Sequence, residues 1–175
     1  MSSPLGSLAT EAGWYRAQPL RNEDGTPRMR KPLITNRGEI ACCIIDTRKK
    51  LSIATVAIFV SDVLTLKIQR CSSRHVALAD QAISLGPIDQ RGRHPYLNAQ
   101  KLVNICLDAG ADAVHPGYGY LSENADFADQ VRNAGITFVG PSSGAMSTLG
   151  DKRTAKAYLG EHDSQDPFDS RLHWI

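Results

Sequence analysis

The chain has 175 residues, 42% hydrophobic and 22% charged, with 20 Lys and Arg against 18 Asp and Glu and a net charge of +2. That is the composition of an ordinary globular domain, and its scattered charges build no basic stripe of the kind that nucleic-acid binding needs. No apolar run approaches the roughly 20 residues of a membrane span, and the first thirty residues carry Glu11, Glu23 and Asp24 with no apolar core, which argues against a secretory signal or a mitochondrial presequence.

Residues 1–30 are rich in Ser, Pro, Gly, Arg and Gln, show no sustained period, and are expected to be a disordered lead-in. Pro32–Thr35 is a short apolar run that predicts a first strand. Ile40, Cys43, Ile44 and Leu51 then recur at helical spacing, predicting a helix over 39–51, and the continuous β-branched run Ala54–Val60 predicts a strand covered on both faces. Val76–Ala82 reads as a short helix and Ile83–Leu85 as a short strand. Leu97–Ala109 places Leu102, Ile105, Cys106 and Ala109 on one helical stripe, with Gly110 as its stop. Ala111–Val114 is the next strand, Asn124–Ala134 a helix, and Ile136–Val139 a strand. Ser142–Leu149 and Asp151–Gly160 are short helices, each opened by a capping residue. Strands alternating with helices predict an α/β fold, a Rossmann-like parallel sheet with helices on both faces, whose ligands sit at the C-terminal ends of the strands.

Three motifs fall at such ends. Asn36-Arg37-Gly38-Glu39 joins the first strand to the first helix: Gly38 allows a tight turn, Asn36 can cap, and Glu39 complements the positive helix end. A dinucleotide site would want Gly-x-Gly-x-x-Gly here, and this loop has a single glycine. On its own it is an ordinary turn. His115-Pro-Gly-Tyr-Gly-Tyr-Leu-Ser-Glu-Asn124 follows a strand and places Gly117 and Gly119 where a ligand can approach the backbone closely. It is either a rigid turn with a satisfied core histidine or one wall of a small pocket, with Glu123 beginning the next helix. Gly150-Asp-Lys152 opens the last helix, where a lysine is ordinarily a solvated charge. Cys42, Cys43, Cys71 and Cys106 have no zinc-site spacing. Cys42 and Cys43 would point different ways on a helix, and all four are expected to be reduced, buried or partly buried thiols. His75 is assigned no chemistry, and His94 is expected in an exposed loop.

Taken together and in this order, Asn36-Arg-Gly-Glu-Ile-Ala41, His115–Asn124 and Gly150-Asp-Lys152 resemble the N-terminal, pre-ATP-grasp domain of biotin carboxylases, over about Lys31 to Asp163. The resemblance implies a parent reaction in which ATP, Mg²⁺ and bicarbonate carboxylate biotin on a carrier. It implies that Tyr118 and Gly119 lie against biotin and that Lys152 contacts the ATP phosphates. The metal ligands and the groups that hold bicarbonate would lie in the ATP-grasp lid and C-terminal regions, so no catalytic residue is assigned within this chain. The implied organisation is a domain over 31–150, the start of the linker and lid over 151–163, and a non-native tail over 164–175. Partners would be a biotin carrier domain or other carboxylase parts, with no nucleic acid and no membrane. The expected location is cytoplasmic, with the mitochondrion as alternative, since the family occurs in both.

Three departures bear on these expectations. Cys43 stands where the family pattern has an arginine near a subunit contact, which argues against a homodimer of that kind. Val63–Ser72 is longer than the family's connection, as a surface insertion or a retained intron would make it. Beyond Asp163 the family's continuation is missing. One back-translation of Asp166–Ile175, shifted by one base, reads Ile-Pro-Leu-Ile-Pro-Gly-Phe, the expected segment, so a frameshifted or mis-spliced end is inferred. The resulting expectation is a fragment that is inactive alone. A non-catalytic module that binds a carboxylase subunit or carrier is the alternative, and a carbamoyl-phosphate-synthase-like relative is disfavoured by the His115–Asn124 loop.

Overall fold

The computed structural model describes residues 25, 29–61, 73–89, 91–150, 153, 155 and 156. Five strands, β1 (Pro32–Ile34), β2 (Val56–Phe59), β3 (Gln81–Ser84), β4 (Ala113–His115) and β5 (Thr137–Phe138), form one sheet in the order β3-β2-β1-β4-β5. Every pairing is parallel: Leu33 lies opposite Val56 on one side and Val114 on the other. The chain therefore runs outward from β1 to β3 and then returns to the opposite side of β1. The strand order reverses between β1 and β4, which is where parallel sheets of this kind open a crevice for ligands.

Helices cover both faces, as expected. α1 (Gly38–Lys50) and α2 (Arg74–Leu78) lie on one, where Ile34, Ala41 and Ile45 form a small core with Leu78 and Ala79 against it. α3 (Ala99–Asp108), α4 (Ala125–Asn133) and α5 (Ser143–Leu149) lie on the other. There Leu33, Ile58, Leu102, Cys106, Val114, Phe127 and Val131 pack into the larger core. Leu33 and Ile34 are both fully buried yet belong to different cores, because successive strand residues point to opposite faces. All of Val56–Phe59 is buried, which is why that run is apolar without alternation.

The helix ends follow from local chemistry. Asn98, Asn124 and Ser142 cap α3, α4 and α5, their side-chain oxygens accepting from Lys101 N, Phe127 N and Ala145 N. α1 has Glu39 in its first turn and Arg48, Lys49 and Lys50 in its last, which matches the helix dipole at both ends. Left-handed Ser52 (φ 56°) then ends it, with Ile53 N donating back to Arg48 O at 3.0 Å.

Several boundaries differ from expectation. The helix expected over Val76–Ala82 stops at Leu78, and β3 begins at Gln81 rather than Ile83. The cause is long-range. The Asp80 carboxylate accepts from both Thr55 N (2.7 Å) and Thr55 Oγ1 (2.9 Å), and Gln81 N donates to Thr55 O (3.0 Å). Those bonds pin the chain beside β2 before a longer helix could form. The helix expected from Asn124 begins at Ala125, one residue after its cap. Of the segment Asp151–Gly160 only Arg153, Ala155 and Lys156 are described, and they are helical. The Val63–Ser72 segment, Cys71 and the 164–175 tail lie outside the described residues.

Candidate functional site

β1 and β4 stop side by side, Ile34 opposite His115, and their two following loops meet above the point of reversal. Asn36 joins them. Its side chain is buried, and Nδ2 donates to Pro116 O and to Tyr118 O, each at 2.8 Å, while Oδ1 accepts from Arg37 N at 2.8 Å. Only an NH₂ group can donate to two carbonyls, so the amide's orientation is set by its partners. Asn36 was expected to cap α1. The N-cap position is instead Arg37, which makes no side-chain cap bond. The role of Asn36 was missed because its partners lie 80 and 82 residues away in sequence.

The loop from β4 turns sharply. Gly117 (φ +66°), Gly119 (φ +77°) and Tyr120 (φ +47°) are all left-handed. A Cβ on Gly117 would lie 2.7 Å from Asn36 Nδ2 and 2.8 Å from Ile40 Cγ2, so only glycine fits. Around Gly119 there is open space. Tyr118 is 77% exposed on the outer side of the turn. The structure thus leaves Tyr118 and Gly119, the two residues assigned to biotin by resemblance, adjacent and open to solvent.

Tyr120 behaves differently. Its ring stacks on that of buried Tyr96, with centroids 4.9 Å apart and planes at 19°, and the His94 ring lies 5.5 Å away. Arg37 sits over the outer side of Tyr120, its Cζ 5.9 Å from the centroid, a cation–π contact that ties the first motif to the second. His94 is half-buried rather than exposed: Nδ1 accepts from Tyr96 N at 3.4 Å and caps the short 3₁₀ turn Pro95–Leu97. The signal that could have placed it was His-Pro at the start of a turn, proline at the first helical position behind a side-chain acceptor.

Beneath this stack β2 outruns β1. The Ile58 carbonyl lies beyond the last β1–β2 pair, Ile34 with Ala57. Tyr96 Oη donates to it at 2.7 Å and His75 Nε2 at 3.2 Å, so two buried side chains replace a missing strand partner. His75, to which no chemistry is assigned, is thus a buried hydrogen-bond partner of the sheet. Burial holds its pKa below the ordinary histidine value, against the Ile58 bond, which raises it. His115 is half-buried, with Nδ1 accepting from Gly117 N at 3.1 Å. Burial first and the Arg48 charge second push its pKa down. A neutral imidazole that accepts from the loop backbone is the satisfied histidine of a rigid turn.

Other residues singled out in the sequence lie elsewhere or outside the described residues. Lys152 lies outside the described residues, as does Asp151. Cys42 and Cys106 are buried free thiols, but Cys43 is exposed on α1, against the expectation that it would be at least partly buried, because the helix turns Ala41, Cys42 and Ile45 to the core instead. Burial pushes the Cys106 thiol up to about 12. Among the described residues no group of three or more His, Cys, Asp or Glu is placed to hold a metal ion. Among them, too, no helix is long and apolar enough to cross a membrane.

Residues 28–146 match the family described as biotin carboxylase, N-terminal domain. The chain is 45% identical over 133 residues to the mitochondrial methylcrotonoyl-CoA carboxylase subunit alpha of Glycine max, an alignment covering 76% of this chain and 17% of that one. With the biotin carboxylase of Haemophilus influenzae it shares 44% over 127 residues, 73% of this chain and 26% of that one. It therefore spans about a quarter or less of the length of these curated relatives. Among solved structures it is similar to the biotin carboxylase subunit of pyruvate carboxylase, with TM-score 0.65 and 43% identity over 76% of this chain and 27% of that one. It is equally similar to the biotin carboxylase domain dimer of the Hydrogenobacter thermophilus 2-oxoglutarate carboxylase, determined with MgADP, ADP and bicarbonate, with TM-score 0.65 and 41% identity over the same shares, 76% and 27%.

Proposed function

The chain belongs to the biotin carboxylase N-terminal domain family, and we propose that its role is to present one wall of a biotin site, Tyr118 and Gly119, to the rest of an ATP-dependent carboxylase. One observation carries this reading. An exposed aromatic and an unobstructed glycine stand together on a rigid loop at the switch point of a parallel sheet. An aromatic face offers a flat ring-shaped ligand a broad contact surface at little entropic cost, and a bare glycine lets that ligand reach the backbone.

In this reading Lys152 supplies a mobile positive charge to the ATP phosphates. Mg²⁺, the bicarbonate-holding groups and the acid–base chemistry are assigned to other parts of the carboxylase. The 175 residues alone hold no ATP, Mg²⁺ or biotin tightly and do not turn over. The domain runs over 31–150 and its partners are a biotin carrier domain and the remaining carboxylase parts, in the cytoplasm or the mitochondrion. With Cys43 in place of the family's arginine, a homodimer built on that arginine is not expected.

The test is a biotin titration of the ¹⁵N-labelled chain, followed through its backbone amides. Shifts confined to Tyr118, Gly119 and their loop neighbours are the expected result. A saturating titration that moves no loop amide, or that moves amides on α1 or α5 instead, contradicts the assignment.

A further inference from the structure

Nothing in the packing of Tyr118 accounts for its position. Its ring is 77% exposed, and among the described residues its side chain has no hydrogen-bond partner. Yet it sits between two left-handed glycines and is followed by Tyr120, a non-glycine residue in the same left-handed region. That conformation is disfavoured for any residue with a Cβ and persists only where the surroundings over-determine it. The loop must therefore be held by contacts outside Tyr118.

Two sets of contacts exist. At the far end, Tyr120 is anchored by its stack on Tyr96 and His94. At the near end, the Asn36 amide donates to the carbonyls on both sides of Gly117, those of Pro116 and Tyr118. Gly117 N donates in turn to His115 Nδ1. The carbonyl of Tyr118 is thus gripped directly by a buried, fully oriented side chain from another loop. Ile40 and Asn36 also fill the space a Gly117 side chain would need, so the turn cannot relax inward.

We infer that Asn36 is the positioning residue for the Tyr118–Gly119 pair: it fixes the backbone from which the aromatic ring and the bare glycine face a ligand. This rests on the biotin reading above for the ligand, but not for the loop geometry. Asn36→Asp is nearly isosteric and keeps the acceptor for Arg37 N, yet it sets an oxygen against two carbonyl oxygens where two N–H groups had been.

The experiment compares the ¹⁵N,¹³C-labelled wild-type and Asn36→Asp chains, with and without biotin. If Asn36 positions the loop, the variant keeps its core amide shifts and cooperative melt. The signals of Gly117, Gly119 and Tyr120 then leave their left-handed positions or broaden, and the biotin-induced shifts at Tyr118 and Gly119 are lost. Unchanged loop signals in the folded variant overturn the inference. If the wild-type loop does not respond to biotin, the ligand assignment fails, and the loop signals of the variant alone judge Asn36. Should Asn36→Asp not fold, the wild-type side-chain amide decides. Slowly exchanging Asn36 Nδ2 protons with cross-peaks to Tyr118 support the role, and rapid exchange with solvent refutes it.

Discussion

Gly117 and Gly119 have nearly the same backbone conformation, φ +66° and +77°, but opposite surroundings. Alanine at Gly119 meets open space and carries only the left-handed penalty, about 1 kcal/mol. Alanine at Gly117 adds contacts of 2.7 and 2.8 Å with Asn36 and Ile40, for an expected cost of about 2–4 kcal/mol. Urea unfolding of the two variants, read by circular dichroism, checks this; equal midpoints would show that the Asn36–Ile40 floor yields. That a glycine-bearing loop follows a strand here was legible in the sequence, but the open approach expected at both glycines is present only at Gly119. Which of them faces the protein and which faces solvent was not legible, because the floor under Gly117 comes from residues some eighty positions earlier. Asn36 illustrates the same limit. An asparagine just before a helix reads as a cap, and only the folded sheet brings the carbonyls of Pro116 and Tyr118 to its amide.

At the scale of elements, the parallel α/β alternation was legible wherever periodicity was long. α3 and α4 carry clear stripes and the Ser142 cap was legible, whereas on α1 the expected stripe Ile40, Cys43, Ile44 and Leu51 is not the buried face, which is formed by Ala41, Cys42 and Ile45. The α2–β3 boundary was not legible, because the Asp80–Thr55 bonds override local propensity there. Hydrogen bonds from the Thr55 side chain, then from its backbone, hold the Asp80 carboxyl below its ordinary range. A depressed carboxylate contributes stability above its unfolded pKa of about 3.9 and loses it as pH falls through the folded value. Asp80→Ala should therefore cost about 1–2 kcal/mol at pH 7, where Thr55 N loses its acceptor. The difference from wild type should stay constant down to about pH 5 and shrink below about pH 4. Urea melts at pH 7, 5 and 3.5 measure it. A difference that is unchanged at pH 3.5 would remove the Asp80 charge from the account.

The whole molecule is a sheet whose strand order reverses between β1 and β4, with the two loops at that reversal locked together by Asn36 and by the Arg37–Tyr120 contact. The first two motifs follow β1 and β4, and the fold places them in contact. Of the third motif only Gly150, the residue that ends α5, is described, and Asp151 and Lys152 lie outside the described residues. In the proposed role this domain supplies a biotin-facing wall to a complete carboxylase. Its most direct test replaces the matching segment of the Haemophilus influenzae biotin carboxylase, 44% identical, with residues 31–150 of this chain. Biotin-dependent ATP hydrolysis with bicarbonate is then measured with Tyr118 intact and with Tyr118→Ala. The expected result is an active chimaera whose KM for biotin rises about threefold to tenfold on losing the ring, the equivalent of one aromatic contact. A folded chimaera without biotin-dependent turnover, or one whose biotin KM ignores Tyr118→Ala, would contradict it.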